Sequence, residues 1–433
     1  LVGYNAEKRS FAMHFKEKLK ENLKNIKTYY LTFFKWVILG IIMGAVGGLV
    51  GAFFSKSISF VTDLRSENGW LLYLLPVGGV LSVIIYKLCN VTDIGTNQVF
   101  ESVRSEKKVP ILLAPAIFAG TLITHMLGGS AGREGAALQL GGSISSLFGK
   151  ILKLKEKSQH ILTVCGMAAL FSALFGTPLG AFVFAIEVIS VGSFCSAAFL
   201  PATVSSVTAY FLAHLLGAHA ERFNLKAVDE FDMNILWKVV VIAILSAIVS
   251  IIFCKLMHFA HEFFKKYIKN EFLRIIVGSG VIILLTLILG TTDYNGGGID
   301  VITRIFETGE VRYEAFILKM IFTAITIGVG FKGGEIVPTF FIGATFGGAI
   351  AILIGLNPAL GAAVGMAALF CGVTNCPLAT IFICFEMFSG QGVIYLALST
   401  IISFVISGYT GLYSGQKLMF SKVREEIIDK NAG

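Results

Sequence analysis

From residue 336 to residue 385 the chain runs for 50 residues without a single Asp, Glu, Lys or Arg. A hydrocarbon core takes roughly 20 helical residues per crossing, so this stretch alone has room for two. Charge is also missing from 36–55, 68–86, 109–132, 158–186, 188–220, 275–292 and 387–416. Over all 433 residues only 14% are charged and 55% are hydrophobic, where an ordinary globular chain is about a quarter charged. No water-soluble core hides that much apolar surface. A membrane β-barrel would instead show short alternating segments, which this sequence does not have. The expected fold is all-α and polytopic.

The net charge of +8 is not read as a nucleic-acid signature. The basic residues gather at Lys16 to Lys27, Lys150 to Lys157, Lys265 to Lys269 and Lys417 to Arg424, next to apolar spans. Such clusters act as cytoplasmic anchors under the positive-inside rule. Residues 1–35 are therefore expected to form a cytoplasmic N-terminal segment, 36–416 the transmembrane domain, and 417–433 a cytoplasmic tail of a cell-membrane protein. The first 35 residues contain no short apolar core before a cleavage site, so no signal peptide is expected. Seven cysteines lie mostly in apolar spans without a CxxC pair and behave as small hydrophobes. His258 and His261 share a helix face but have no nearby carboxylate or Cys, so no metal or cofactor is expected. Walker, HExxH and GxSxG motifs are missing, which argues against an ATP-driven pump and an intramembrane hydrolase.

The chain contains an internal duplication. Gly176-Thr177-Pro178-Leu179-Gly180 leads through Phe182 to Glu187, and Asn375-Cys376-Pro377-Leu378-Ala379 leads through Phe382 to Glu386. Both Pro178 to Pro377 and Glu187 to Glu386 are offsets of 199. Upstream, Gly132-Arg133-Glu134-Gly135-Ala136 has a counterpart in Gly334-Glu335-Ile336-Val337-Pro338, offset by about 202. The halves are expected at approximately 36–220 and 235–416. This organisation suits inverted-repeat transporters, whose sites lie where broken helices meet.

Gly128-Gly129-Ser130-Ala131-Gly132 cannot continue a helix, yet it lies between apolar segments. Irregular backbone at membrane depth survives only when buried in protein or lining a wet cavity. Each Gly-rich run precedes a helical stretch, so each offers free N–H groups and a positive dipole end, together an anion site. The alternative is that the glycines serve only close helix packing. Glu187 and Glu386 are expected to be structural caps or ion-pair partners. Arg133 and Lys332 are expected to balance neighbouring carboxylates or set the local potential. Glu134 stands at the start of a half-helix aimed at the anion site. Ionised, it can fill that site; protonated, it yields it. Burial and the helix dipole act on its carboxyl in opposite senses, which keeps it protonatable.

At these residues the chain resembles the CLC family of chloride channels and anion/proton antiporters, over roughly residues 35 to 416. Gly132-Arg133-Glu134-Gly135-Ala136 resembles the GREGP element, with Ala136 in place of Pro. Lys332 to Pro338 resembles the GGxFxP element, Asp93 to Asn97 falls where GSGIP belongs, and Gly411-Leu412-Tyr413-Ser414 matches the late tyrosine motif. The resemblance implies a CLC-type inverted repeat with broken half-helices, and a homodimer with one pore per subunit. It also implies that Glu134 is the external gate and Tyr413 the inner hydroxyl, with the backbone N–H groups of Glu335 and Ile336 at the central site. Ile94 falls at the central serine position, and the implied anion-binding set is Ile94, Gly132, Gly135, Glu335, Ile336 and Tyr413. The inner proton-transfer glutamate of chloride exchangers falls on Val188, and no paired CBS domains fit after Gln416.

Losing that serine and that glutamate while gaining Glu335 resembles the bacterial fluoride/proton antiporter branch. That branch typically has Met where this chain has Ile94, and often Thr where it has Val337. The implied activity is export of fluoride in exchange for protons, with Glu134 and Glu335 as gating and proton-transfer groups. The alternative is a CLC-type chloride channel or chloride/proton antiporter. The expected partners are fluoride or chloride, protons and the lipid bilayer.

Overall fold

The computed structural model describes residues 2–91, 95–105, 107–218, 220–225 and 232–432. Sixteen α-helices lie among the described residues, in two runs of eight. The first run is α1 (Val2–Glu67), α2 (Leu75–Leu88), α3 (Thr96–Arg104), α4 (Leu113–Met126), α5 (Glu134–Ile151), α6 (Glu156–Phe175), α7 (Pro178–Glu187) and α8 (Phe199–Leu215). The second is α9 (Met233–Tyr267), α10 (Glu271–Leu289), α11 (Ile299–Thr308), α12 (Ala315–Gly328), α13 (Ile336–Leu353), α14 (Pro358–Thr374), α15 (Pro377–Met387) and α16 (Val393–Ile406). Taken in order, two of the equivalent pairs are equal in length. Both α4 and α12 have 14 residues, and both α5 and α13 have 18. The duplication seen around the two prolines thus extends upstream to α4 and α5 and their counterparts α12 and α13. At the N-terminus, α1 runs unbroken past residue 35, so the N-terminal segment and the first span form one helix.

Among the described residues, seven helices are long and apolar enough to cross a membrane, and six further apolar helices have only 10–17 residues. A 14-residue helix is about 21 Å long and stops short of a core about 30 Å thick. The charge-free stretch 336–385, with room for two crossings, instead holds α13, α14 and most of α15. Two local signals divide it. Asn357 caps α14 through its side chain (Ala359 N–H to Oδ1, 2.9 Å) with Pro358 in the first turn. Asn375 ends α14 in the left-handed region at φ +56°, just before Pro377 opens α15.

Glycines let equivalent helix pairs touch backbone to backbone. A Cβ on Gly141 of α5 would lie 2.3 Å from the Gly166 carbonyl oxygen of α6, and one on Gly343 of α13 would lie 2.6 Å from that of Gly365 in α14. Both α5–α6 and α13–α14 are thus small-residue interfaces of the kind membrane helices use.

The short helices α7 and α15 cap one another. The Glu187 carboxylate, at the end of α7, accepts from Leu378 N–H (3.2 Å) and Ala379 N–H (2.7 Å) at the start of α15. The Glu386 carboxylate, near the end of α15, accepts from Leu179 N–H (3.0 Å) and Gly180 N–H (2.8 Å) at the start of α7. The expectation that these two glutamates are caps is met, and each serves the opposite repeat.

Past Tyr413 the chain forms strands β2 (Lys417–Phe420) and β3 (Ile427–Asn431), and β2 also pairs in parallel with the two-residue strand β1 (Ser190–Val191) after α7. Lys422 seals this tail to the helix ends, donating to Asn375 Oδ1 (2.6 Å), Phe404 O (2.7 Å) and Ser407 Oγ (3.3 Å). Burial lowers its pKa from 10.5 to about 8.

Removing one carboxylate cap leaves two N–H groups unsatisfied away from water. Glu386→Ala and Glu187→Ala should each cost about 1–3 kcal/mol, read as a lowered unfolding midpoint in detergent. Because the native tail favours neutral Lys422, its contribution to stability should rise as pH goes from about 8 to 10.5 and be lost on the way down. Lys422→Met should flatten that slope in a thermal midpoint measured against pH.

Candidate functional site

The breaks before α5 and before α13 meet. Gly132 N–H donates to Gly334 O at 2.6 Å and Gly334 N–H to Gly132 O at 2.7 Å, an antiparallel bridge joining equivalent points of the two repeats. Both positions are tight, and at Gly334 the obstacle is backbone. A Cβ on Gly334 would sit 2.4 Å from Gly135 N, and one on Gly132 would sit 2.9 Å from Glu134 Oε2. The bridge therefore brings the N-termini of α5 and α13 together. The N–H groups of each first turn have no intrahelical acceptor, and the dipoles add positive potential there.

Each of these helix starts carries a carboxylate. Glu134, the first residue of α5, is fully buried. Its Oε2 accepts from Arg133 N–H at 3.0 Å, while Oε1 has no hydrogen bond and lies 3.5 Å from Arg133 Nε. Glu335 stands immediately before α13 without a side-chain cap bond, and its Oε2 is buried with no hydrogen-bond partner. Its carbonyl oxygen is taken by Thr339, through N–H at 3.0 Å and Oγ1 at 2.7 Å. Tyr413 is buried, its Oη without a partner and its ring packed edge-on to Phe100 at 5.2 Å.

Arg133 serves two carboxylates. Besides Glu134, it donates from Nη2 to Glu221 Oε1 at 2.8 Å, and Nη1 reaches Ser55 Oγ at 3.3 Å. It faces a cavity of about 460 Å³ that Gly132, His125, Arg65, Val337 and Gly298 also line. Lys332 lies on the approach to α13 with Nζ 4.2 Å from the Tyr86 ring centroid.

Of the positions expected from sequence, Gly132, Glu134, Gly135, Glu335 and Ile336 come together at the paired helix starts, and Tyr413 is buried with its hydroxyl unpartnered. Ile94 lies outside the described residues. The next part of its motif is described: Thr96 opens α3, and its Oγ1 accepts from Gln139 Nε2 of α5 at 3.1 Å. Sequence reasoning missed what holds Tyr413. Asn97 donates from Nδ2 to Ser414 Oγ (3.0 Å) and accepts from Gly415 N–H (3.0 Å), and Arg104 donates to Gly415 O. The signal available was Asn97 inside the motif around Ile94, but its partner lies more than three hundred residues away. Glu221 was likewise missed, since nothing near it in sequence points to Arg133.

The sequence model described as "Voltage gated chloride channel" matches residues 77–408. A "Chloride/fluoride channel protein" of Pseudomonas syringae pv. tomato is 31% identical over 379 residues, 86% of this chain and 84% of that protein. Among solved structures, a CLC-type fluoride/proton antiporter is similar at a TM-score of 0.86 and 32% identity, covering 89% of this chain and 98% of the other. A slow cyanobacterial Cl⁻/H⁺ antiporter shares the fold at a TM-score of 0.76 and 20% identity, covering 86% and 94%. With most of its length matched and both repeats in place, the chain belongs to the CLC family of anion channels and transporters.

Proposed function

We propose that the protein exchanges fluoride for protons across the cell membrane and so exports fluoride. The observation that carries this reading is the pair of carboxylates, Glu134 and Glu335, one at each of two helix N-termini joined by the Gly132–Gly334 bridge. An anion at this point is held by N–H groups and dipole ends. Glu134, ionised, competes for the same place; protonated, it loses that attraction and yields. One group thus couples anion occupancy to proton uptake.

The second carboxylate is what points to fluoride. Fluoride is a small, strongly hydrated acceptor, so shedding its water demands strong donors. A protonated Glu335 is such a donor, and HF can in turn donate to its carboxylate. An ionised Glu335 would repel any halide, so anion binding there goes with a proton. Val188, in the place of a proton-carrying glutamate, leaves Glu134 and Glu335 to carry the coupling. The similarity to a protein named for chloride and fluoride, and to a fluoride/proton antiporter, supports the same reading. We assign Ile94, Gly132, Gly135, Ile336 and Tyr413 to the anion path, and place both termini in the cytoplasm on the basic clusters. A homodimer completes the reading.

In proteoliposomes an imposed fluoride gradient should drive protons uphill. Flux of either halide without proton movement would return the protein to a passive channel. Chloride driving protons as well as fluoride does would make it a chloride/proton exchanger. Glu134→Gln should abolish proton coupling measured by pH alongside fluoride efflux. Glu335→Gln should lower the preference for fluoride over chloride by about ten-fold or more, the worth of one charge-assisted hydrogen bond; an unchanged preference would return Glu335 to a structural role.

A further inference from the structure

Lys319, on α12, is fully buried and takes no part in the exchange described above. Its ammonium donates to the carbonyls of Tyr294 (3.1 Å) and Gly296 (2.7 Å) and lies 5.0 Å from the Phe341 ring centroid. Among the described residues no carboxylate lies within 4 Å of it. Burying an ammonium is costly unless its donors are used, and an apolar side chain would fill this space at less cost. What the charge holds is therefore informative.

It holds the turn from Tyr294 to Gly298. Gly296 (φ +59°) and Gly298 (φ +82°) are left-handed, and at Gly298 a Cβ would meet the Phe341 ring at 2.6 Å. One edge of the turn gives its carbonyls to Lys319. The other grips the loop before α5: Asn295 Nδ2 donates to Gly128 O at 2.7 Å, and Gly296 N–H to Gly129 O at 3.0 Å. That loop aims Glu134. Further along α12, Thr326 Oγ1 accepts from Ser130 N–H at 3.0 Å, and Thr323 Oγ1 lies 3.0 Å from Ser130 Oγ. Residues 319, 323 and 326 share one helix face, so α12 grips the gate loop twice, once directly and once through the turn.

We propose that Lys319 is a positioning residue for the anion gate: by fixing the Tyr294–Gly298 turn it fixes the Gly128–Arg133 loop and so aims the Glu134 carboxylate at the paired helix ends. This rests on Glu134 acting as gate, but not on which halide moves or whether protons are coupled.

The test is a double-mutant cycle on anion efflux from proteoliposomes, with unfolding midpoints recorded for every variant. In the wild-type background Glu134→Ala should change efflux by about ten-fold; in a Lys319→Met background, where the carboxylate is no longer aimed, it should change efflux less than about two-fold. An equal effect of Glu134→Ala in both backgrounds, with or without a lower midpoint for Lys319→Met, would overturn the proposal. No effect of Glu134→Ala even in the wild-type background would instead overturn Glu134 as gate, and the proposal with it. Should Lys319→Met fail to fold, Asn295→Ala cuts the same relay while leaving the ammonium in place, and the same two outcomes decide.

Discussion

A helix that begins inside a membrane leaves N–H groups where no water can satisfy them, and the rest of this structure depends on how that debt is met. The two breaks before α5 and α13 meet it partly against each other, through the reciprocal bridge of Gly132 and Gly334. Only glycine allows the approach, because a side chain on Gly334 would collide with the backbone of Gly135. The bridge ties the two repeats at equivalent points. It also points two sets of unpaired donors into the same small volume, and an anion or a carboxylate is what such a volume accepts.

The same problem recurs at α7 and α15 and is solved differently. There the N–H groups are occupied by Glu187 and Glu386, each supplied by the opposite helix. These four helix starts thus form two classes. One is closed by carboxylates held across an interface. The other carries carboxylates on its own helix starts, Glu134 and Glu335, each with an oxygen that has no hydrogen bond. A cap held by two N–H groups at well-formed distances is rigid. A buried carboxylate with one free oxygen is the kind of group that can change place or protonation.

Much of this was legible in the sequence, and for physical reasons. Charge-free stretches reflect the cost of burying charge in hydrocarbon, so membrane depth is visible in one dimension. Pro178 and Pro377 mark helix starts, and glycine runs mark breaks, because both residues act on their own backbone. Glu134 and Glu335 were found because they stand inside those breaks. What the sequence left open has a common source. The stretch 336–385 has the composition of two crossings yet forms parts of three helices, since composition does not say where a cap divides a run. Arg133 balances carboxylates as expected, those of Glu134 and Glu221, but nothing in the sequence named Glu221. Tyr413 was placed by its motif, while its support by Asn97 and Arg104 joins segments that the sequence keeps far apart.

The amino-acid sequence by itself determined that the chain enters the membrane many times, that it is built from two related halves, and which backbone points must break. These follow from hydropathy, from repetition and from local stereochemistry, all properties of short stretches. Only the tertiary structure decided which break meets which, which carboxylate closes a helix and which is left without a cap, and that α12 grips the loop carrying Glu134. Those outcomes depend on hydrogen bonds between residues a hundred or more positions apart. Their geometry exists only once α5, α12 and α13 have packed.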